Sequence, residues 1–115
     1  MQKRTHTCGA LRADHVGQTV SLMGWVNKYR DHGGVIFIDL RDREGLTQIV
    51  FHPEFKEAHD LADRLRNEDV IWVKGQCVKR EEGMANTKLA TGQIEVQAVE
   101  LEILNKAVTP PFAPD

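Results

Sequence analysis

The hydrophobic period of this sequence changes twice, and the two changes restrict the folds open to it. Over residues 19–52 apolar side chains recur at alternate positions, as in half-buried strands. Over 53–66 they recur near every 3.6 positions, and from residue 69 the alternation returns. Residues 19–30 are rich in β-formers and carry Gly24 mid-run, which predicts a bulge or sharp coil that lets one strand serve two sheets. After a Gly33-Gly34 turn, residues 35–42 put Ile36, Ile38 and Leu40 on one face and Val35, Phe37, Asp39 and Arg41 on the other. Arg43-Glu44-Gly45 reads as a hairpin turn. It leads into a third strand over 46–52, with Ile49 and Phe51 inward and Gln48 opposite.

Pro53 suits a first helical turn, and Phe55, Ala58, His59, Leu61, Ala62 and Leu65 then form the apolar series of one helix over 53–66. A fourth strand follows over 69–80, then a polar loop over 81–92 with Gly83, Asn86 and Gly92. The fifth strand covers 93–104. Its inward set Ile94, Val96 and Ala98 slips near Val99 to Leu101 and Ile103, which predicts a bulge. Three strands, a helix and two strands are the layout of a mainly β, five-stranded Greek-key OB-fold barrel. A short helical element around Ala10–His15 precedes it. The competing topology is an open α+β sheet with the helix on one face. The domain reading is an N-terminal extension over 1–18 packed on the barrel, the barrel over 19–105, and over 106–115 the start of a linker to a further domain.

Composition narrows the classes. At 115 residues, 41% hydrophobic and 28% charged, the chain is the size of one soluble domain and too small for a multi-domain enzyme. No stretch approaches ~18 consecutive apolar residues, so no membrane span is expected. Cys8 and Cys77 are far apart and the five histidines are scattered, which points to reduced thiols in a cytosolic protein and to no metal site. The net charge of −2 counts at first against a nucleic-acid partner. The charge is uneven, however: residues 1–48 hold seven Lys/Arg against five Asp/Glu, and residues 49–115 eight against twelve.

No phosphate-cradling P-loop, dinucleotide fingerprint or nucleophile elbow is present, so no catalytic residue is expected in the chain itself. The run Arg41-Asp42-Arg43-Glu44 is either a solvated hairpin tip or a set of phosphate contacts. Binding signals are better. Phe37 lies by alternation on a polar strand face, where an OB barrel stacks bases. Gln48, on the adjacent strand and the same face, presents a donor and an acceptor side by side, as the edge of uracil requires. Glu95 can accept from a base amino group, and Lys28 and Arg30 can supply charge or a planar fork. Phe37 is also compatible with capping a barrel end or packing on a loop, Gln48 and Glu95 with ordinary wet strand residues, and Tyr29 is either core or a second platform.

Several runs together carry a family resemblance. They are Thr5-His6-Thr7-Cys8-Gly9, Gly24-Trp25-Val26-Asn27, the stretch from Arg30 to Gly45, Gln48, Leu65-Arg66-Asn67-Glu68, Ala90-Thr91-Gly92 and Ile94-Glu95-Val96. The chain resembles, over nearly its whole length, the N-terminal anticodon-binding domain of bacterial aspartyl-tRNA synthetases, which are class II ligases. The resemblance implies that Phe37 stacks on the central uracil of the anticodon and that Gln48 hydrogen-bonds its edge. It also implies that Arg30, Lys28 and Glu95 contact the flanking bases or phosphates. The expected partner is tRNA(Asp), bound by a cytoplasmic parent enzyme that is a homodimer. That parent would carry out ATP- and Mg2+-dependent aspartylation in a catalytic domain beyond Asp115, with no cofactor in this domain.

Two departures bear on specificity. Lys28 stands where the family often has arginine, and Met84 where some versions have asparagine. His32, Gly83 and Met84 are the candidates for anticodon discrimination. A His-Gly-Gly segment with a glycine in the 81–92 loop resembles forms that charge tRNA(Asn) as well, so single and dual specificity both stay open. The alternatives are a free-standing OB-fold single-strand binder, the equivalent domain of an asparaginyl- or lysyl-tRNA synthetase, and a barrel that binds only protein.

Overall fold

The computed structural model describes residues 3–80 and 91–106. The strands are β1 (Thr19–His32), β2 (Val35–Asp42), β3 (Gly45–Phe51), β4 (Val70–Lys79) and β5 (Ile94–Asn105). One helix, α1 (Lys56–Ala62), lies between β3 and β4. The strands form a closed barrel in the order β1-β2-β3-β5-β4, with β4 returning to β1. The open-sheet alternative is thereby set aside. Of the loop expected over 81–92, residues 81–90, with Gly83 and Met84, lie outside the described residues, as does the tail from 107.

Closure depends on β1. Its first half, Thr19 to Trp25, pairs antiparallel with β4, and its second half, Trp25 to His32, pairs antiparallel with β2. One strand therefore serves two neighbours, as Gly24 suggested, but the irregularity lies between Val26 and Lys28 and not at Gly24. Gly24 is needed for a different reason: a Cβ there would sit 2.3 Å from the Arg41 carbonyl oxygen, so the glycine permits the close backbone approach where β1 coils. In β5 the bulge falls where the alternation slips. Lys74 pairs with Glu100 and Gly75 with Ala98, which leaves Val99 over as the extra residue.

The inward residues form one core. Leu22, Val26, Ile36, Ile38, Leu40, Ile49, Phe51, Ile71, Val73, Ile94, Val96 and Ala98 are all buried. Tyr29, opposite Ile38, packs against this core, which excludes it as a platform on the polar face. Burial is also the main reason its phenol is raised above its ordinary pKa, with Asp63 and Asp31 adding to the shift.

Helix α1 is half the length that periodicity predicts. Pro53 lies in a turn outside it, and Phe55, with ψ 73°, interrupts the helical path before Lys56. At the other end Arg64 and Leu65 donate to carbonyls three residues back, which tightens the last turn and still buries Leu65 beside Ala58 and Ala62.

The residues before β1 lie against the barrel. Cys8 and Leu11 are fully buried, the Cys8 amide donates to Asp42 (2.8 Å), and the Thr47 hydroxyl donates to the Cys8 carbonyl. Asp42 also accepts from the amides of Glu44 and Gly45 (2.8 and 3.0 Å). The Arg41–Glu44 run thus contains a structural anchor, while Arg41, Arg43 and Glu44 are exposed.

Two outcomes follow from these contacts. A Cβ at Gly75 would sit 2.2 Å from the Gln97 carbonyl oxygen, so Gly75→Ala should cost ~1–3 kcal/mol or more by urea unfolding, whereas exposed Val99→Ala should stay within ~0.5 kcal/mol. Burial raises both thiol pKa values, with Asp42 adding to the rise at Cys8. Ellman's reagent at pH 8 should therefore find no reactive thiol in the native chain and two in guanidinium.

Candidate nucleic-acid interface

The outward positions of the strands converge on one pocket of about 540 Å³. Its described lining is Arg30 and His32 from β1, Phe37 from β2, Gln48 and Val50 from β3, His52 just beyond it, Val78, Lys79 and Arg80 at the end of β4, and Glu95 and Gln97 from β5. Strand register explains the grouping. Arg30 stands opposite Phe37, Phe37 opposite Val50, and Val78 opposite Glu95. The parallel pairing of β3 with β5 sets Val50 beside Gln97 and so brings Gln48 to Glu95.

A hydrogen-bonded chain crosses the floor. The Arg30 guanidinium donates to Asp39 and to Gln48 Oε1, each at 3.3 Å, and Gln48 Nε2 donates to Glu95 Oε1 at 2.9 Å. These partners fix the amide orientation, because a flipped amide would set its NH2 against the guanidinium. With one N–H and one lone pair of Gln48 engaged, the second N–H and second lone pair remain to meet a base edge. Phe37 is half-buried in the wall, and His32 meets it edge-on, with centroids 5.7 Å apart and planes at 75°.

Arg80 is the main residue that sequence reasoning misses. It is 8% exposed, and its Nε donates to the Ile94 carbonyl at 2.9 Å. Burial lowers its pKa; Glu95 and then Asp39 oppose that shift, and Arg30 adds to it. Arginine remains charged under such a shift. The floor therefore carries two guanidinium groups, Arg30 and Arg80, against two carboxylates, Asp39 and Glu95. Nothing in a strand-end Lys-Arg pair marks one member as buried. Asp39 shares Phe37's face by alternation, but only the fold shows its ion pair with Arg30.

Of the residues singled out from the sequence, Arg30, His32, Phe37, Gln48 and Glu95 meet in this pocket. Lys28 lies on the same face of β1, opposite Asp39, but is exposed and outside the lining. Gly83 and Met84 lie outside the described residues.

Arg80→Met removes a charge-assisted bond to a backbone carbonyl and the counter-charge of Glu95. It should cost ~1.5–3 kcal/mol in urea unfolding, and Arg80→Lys, which lacks an Nε donor, should recover less than half of that loss.

Comparison with known proteins agrees with this geometry. Residues 20–104 match the family of OB-fold nucleic acid binding domains named for the tRNA anticodon. The aspartate–tRNA(Asp/Asn) ligase of Desulfatibacillum aliphaticivorans is 59% identical over 111 residues, which are 96% of this chain and 19% of that protein. The aspartate–tRNA ligase of Listeria monocytogenes serotype 4a is 58% identical over 113 residues, 97% of this chain and 19% of that protein. The chain thus spans 19% of the length of these relatives. Among solved structures, asparaginyl-tRNA synthetase from Pyrococcus horikoshii superposes with a TM-score of 0.78 at 26% identity, covering 96% of this chain and 24% of that one. With a match over 20–104 and a closed barrel whose polar face carries the pocket, the chain belongs to the family of OB-fold nucleic acid binding domains.

Proposed function

We propose that the pocket reads the anticodon of tRNA(Asp), as the recognition module of an aspartate–tRNA ligase. The observation that carries this reading is the placement of a half-buried aromatic platform, Phe37, beside a Gln48 amide held in one orientation by Arg30 and Glu95. A single-stranded base stacked on Phe37 would present its edge to the remaining donor and acceptor of Gln48, a complement to the N3–H and O4 of uracil. Arg30, Glu95 and the buried Arg80 would contact the flanking bases, with Lys28 and Lys79 toward the phosphates. The ligase names of the two bacterial relatives support the choice of partner.

The chain's own task in this reading is recognition. ATP- and Mg2+-dependent aspartylation, dimerisation and the cytoplasmic setting belong to the full-length protein. Whether tRNA(Asn) is a second substrate does not follow from overall identity, since the Asp/Asn ligase and the aspartate ligase are 59% and 58% identical to this chain. The proposed discriminators are His32, at the mouth of the pocket, and Gly83 and Met84. Charging of purified tRNA(Asn) by the full-length enzyme decides between the two specificities.

Phe37→Ala should weaken binding of a tRNA(Asp) anticodon stem-loop by ~1–3 kcal/mol at unchanged thermal stability, read by fluorescence anisotropy. Unchanged affinity would refute the stacking role. Oligo-dT should compete poorly; equal competition would favour the general single-strand binder.

A further inference from the structure

Helix α1 contacts the barrel mainly at β5 and β3, with Ala58 and Ala62 buried. One of its side chains does something else. His59, half-buried, meets the carbonyl oxygen of Gly34 through Nε2 at 2.5 Å. A carbonyl only accepts, so Nε2 carries the proton and donates. The bond spans 25 residues and ties the helix to the turn between β1 and β2.

That turn is a two-residue hairpin loop flanked by the His32–Val35 pair of the β1–β2 ladder. Gly33 and Gly34 have φ of +61° and +93° and no side chain to pack. Beyond the flanking strand pair, the peptide groups of Gly34 add two bonds to the turn: its N–H donates to Asp31 Oδ1 at 2.9 Å, and its carbonyl accepts from His59. The residue entering the turn is His32, whose ring stands edge-on to Phe37 in the pocket wall.

We propose that His59 is a positioning residue for the binding face: by clamping the Gly34 carbonyl it sets the β1–β2 turn, and through the turn the seat of His32 against Phe37. This role rests on the reading of the pocket as an anticodon site. His59 touches no base in it, and its contribution is to hold the wall of the pocket before RNA arrives, so that binding does not have to order the turn. The core-facing residues of α1 pack without it, so the fold stands when the bond is removed.

The test uses the 115-residue chain and its His59→Leu and His59→Gln variants. Leucine keeps the packing volume and loses the donor, whereas the glutamine amide can reach the same carbonyl. Three readouts are taken: thermal unfolding, the proton–proton NOE between the His32 and Phe37 rings in the free chain, and affinity for the tRNA(Asp) anticodon stem-loop. His59→Leu is expected to unfold within a few degrees of the unmodified chain, to lose most of the ring–ring NOE, and to bind roughly fivefold more weakly, the scale of one net hydrogen bond. His59→Gln is expected to restore both the NOE and the affinity. Binding by His59→Leu equal to the unmodified chain overturns the role. So does a loss of stability and affinity that glutamine fails to rescue, since that pattern marks plain structural support. If the unmodified chain ignores the stem-loop, the anticodon reading fails and this role with it; if only the variants behave alike, the anticodon reading stands and His59 has no part in it.

Discussion

The parallel pairing of β3 with β5, Ile49 opposite Val96 and Val50 opposite Gln97, is the contact on which both core and site depend. It closes the barrel between strands that lie on either side of α1 and β4 in the chain. Once it forms, the period of two in each strand does the rest. Ile49 and Val96 turn inward together, and Gln48 and Glu95 turn outward together, 47 residues apart in sequence and 2.9 Å apart in space. A one-residue slip of β5 in this pairing would reverse its faces, turning Val96 to solvent and Glu95 into the core and breaking the Gln48–Glu95 bond. The apolar interior therefore specifies the register of the polar site.

What was legible in the sequence was whatever alternation encodes. Strand positions, the inward aliphatic set, the outward placement of Phe37 and Gln48, and the bulge at Val99 all follow from local period. The helix was legible as an element but not in length, because its apolar series runs past the backbone that can remain helical: Phe55 interrupts it on one side and a tightened turn at Arg64–Leu65 on the other. Gly24 marked the coil of β1, yet its reason lies in the Arg41 carbonyl, a neighbour no local pattern names. The same holds for Arg80 and for the His59–Gly34 bond. His59 sat in the helical series as one more apolar-face residue, and its partner is a backbone carbonyl in a distant turn.

Net charge proved a poor guide to the partner. The pocket draws Arg30 from the basic half of the chain and Lys79, Arg80 and Glu95 from the acidic half, so the division at residue 48 does not mark the site. At its floor the charges balance, Arg30 and Arg80 against Asp39 and Glu95. Such a floor suits the reading of base edges, where each donor and acceptor must be held in place, more than the indiscriminate capture of phosphate.

The most direct measurement is an NMR titration of the labelled chain with the tRNA(Asp) anticodon stem-loop. The account predicts large shifts for the Phe37 ring, the Gln48 side-chain amide and the Arg30 and Arg80 guanidinium signals. It also predicts that the Trp72 indole N–H, held by the Lys3 carbonyl outside the pocket, stays where it is. Shifts centred on Trp72 with Phe37 and Gln48 unmoved, or no shifts at all, would contradict it.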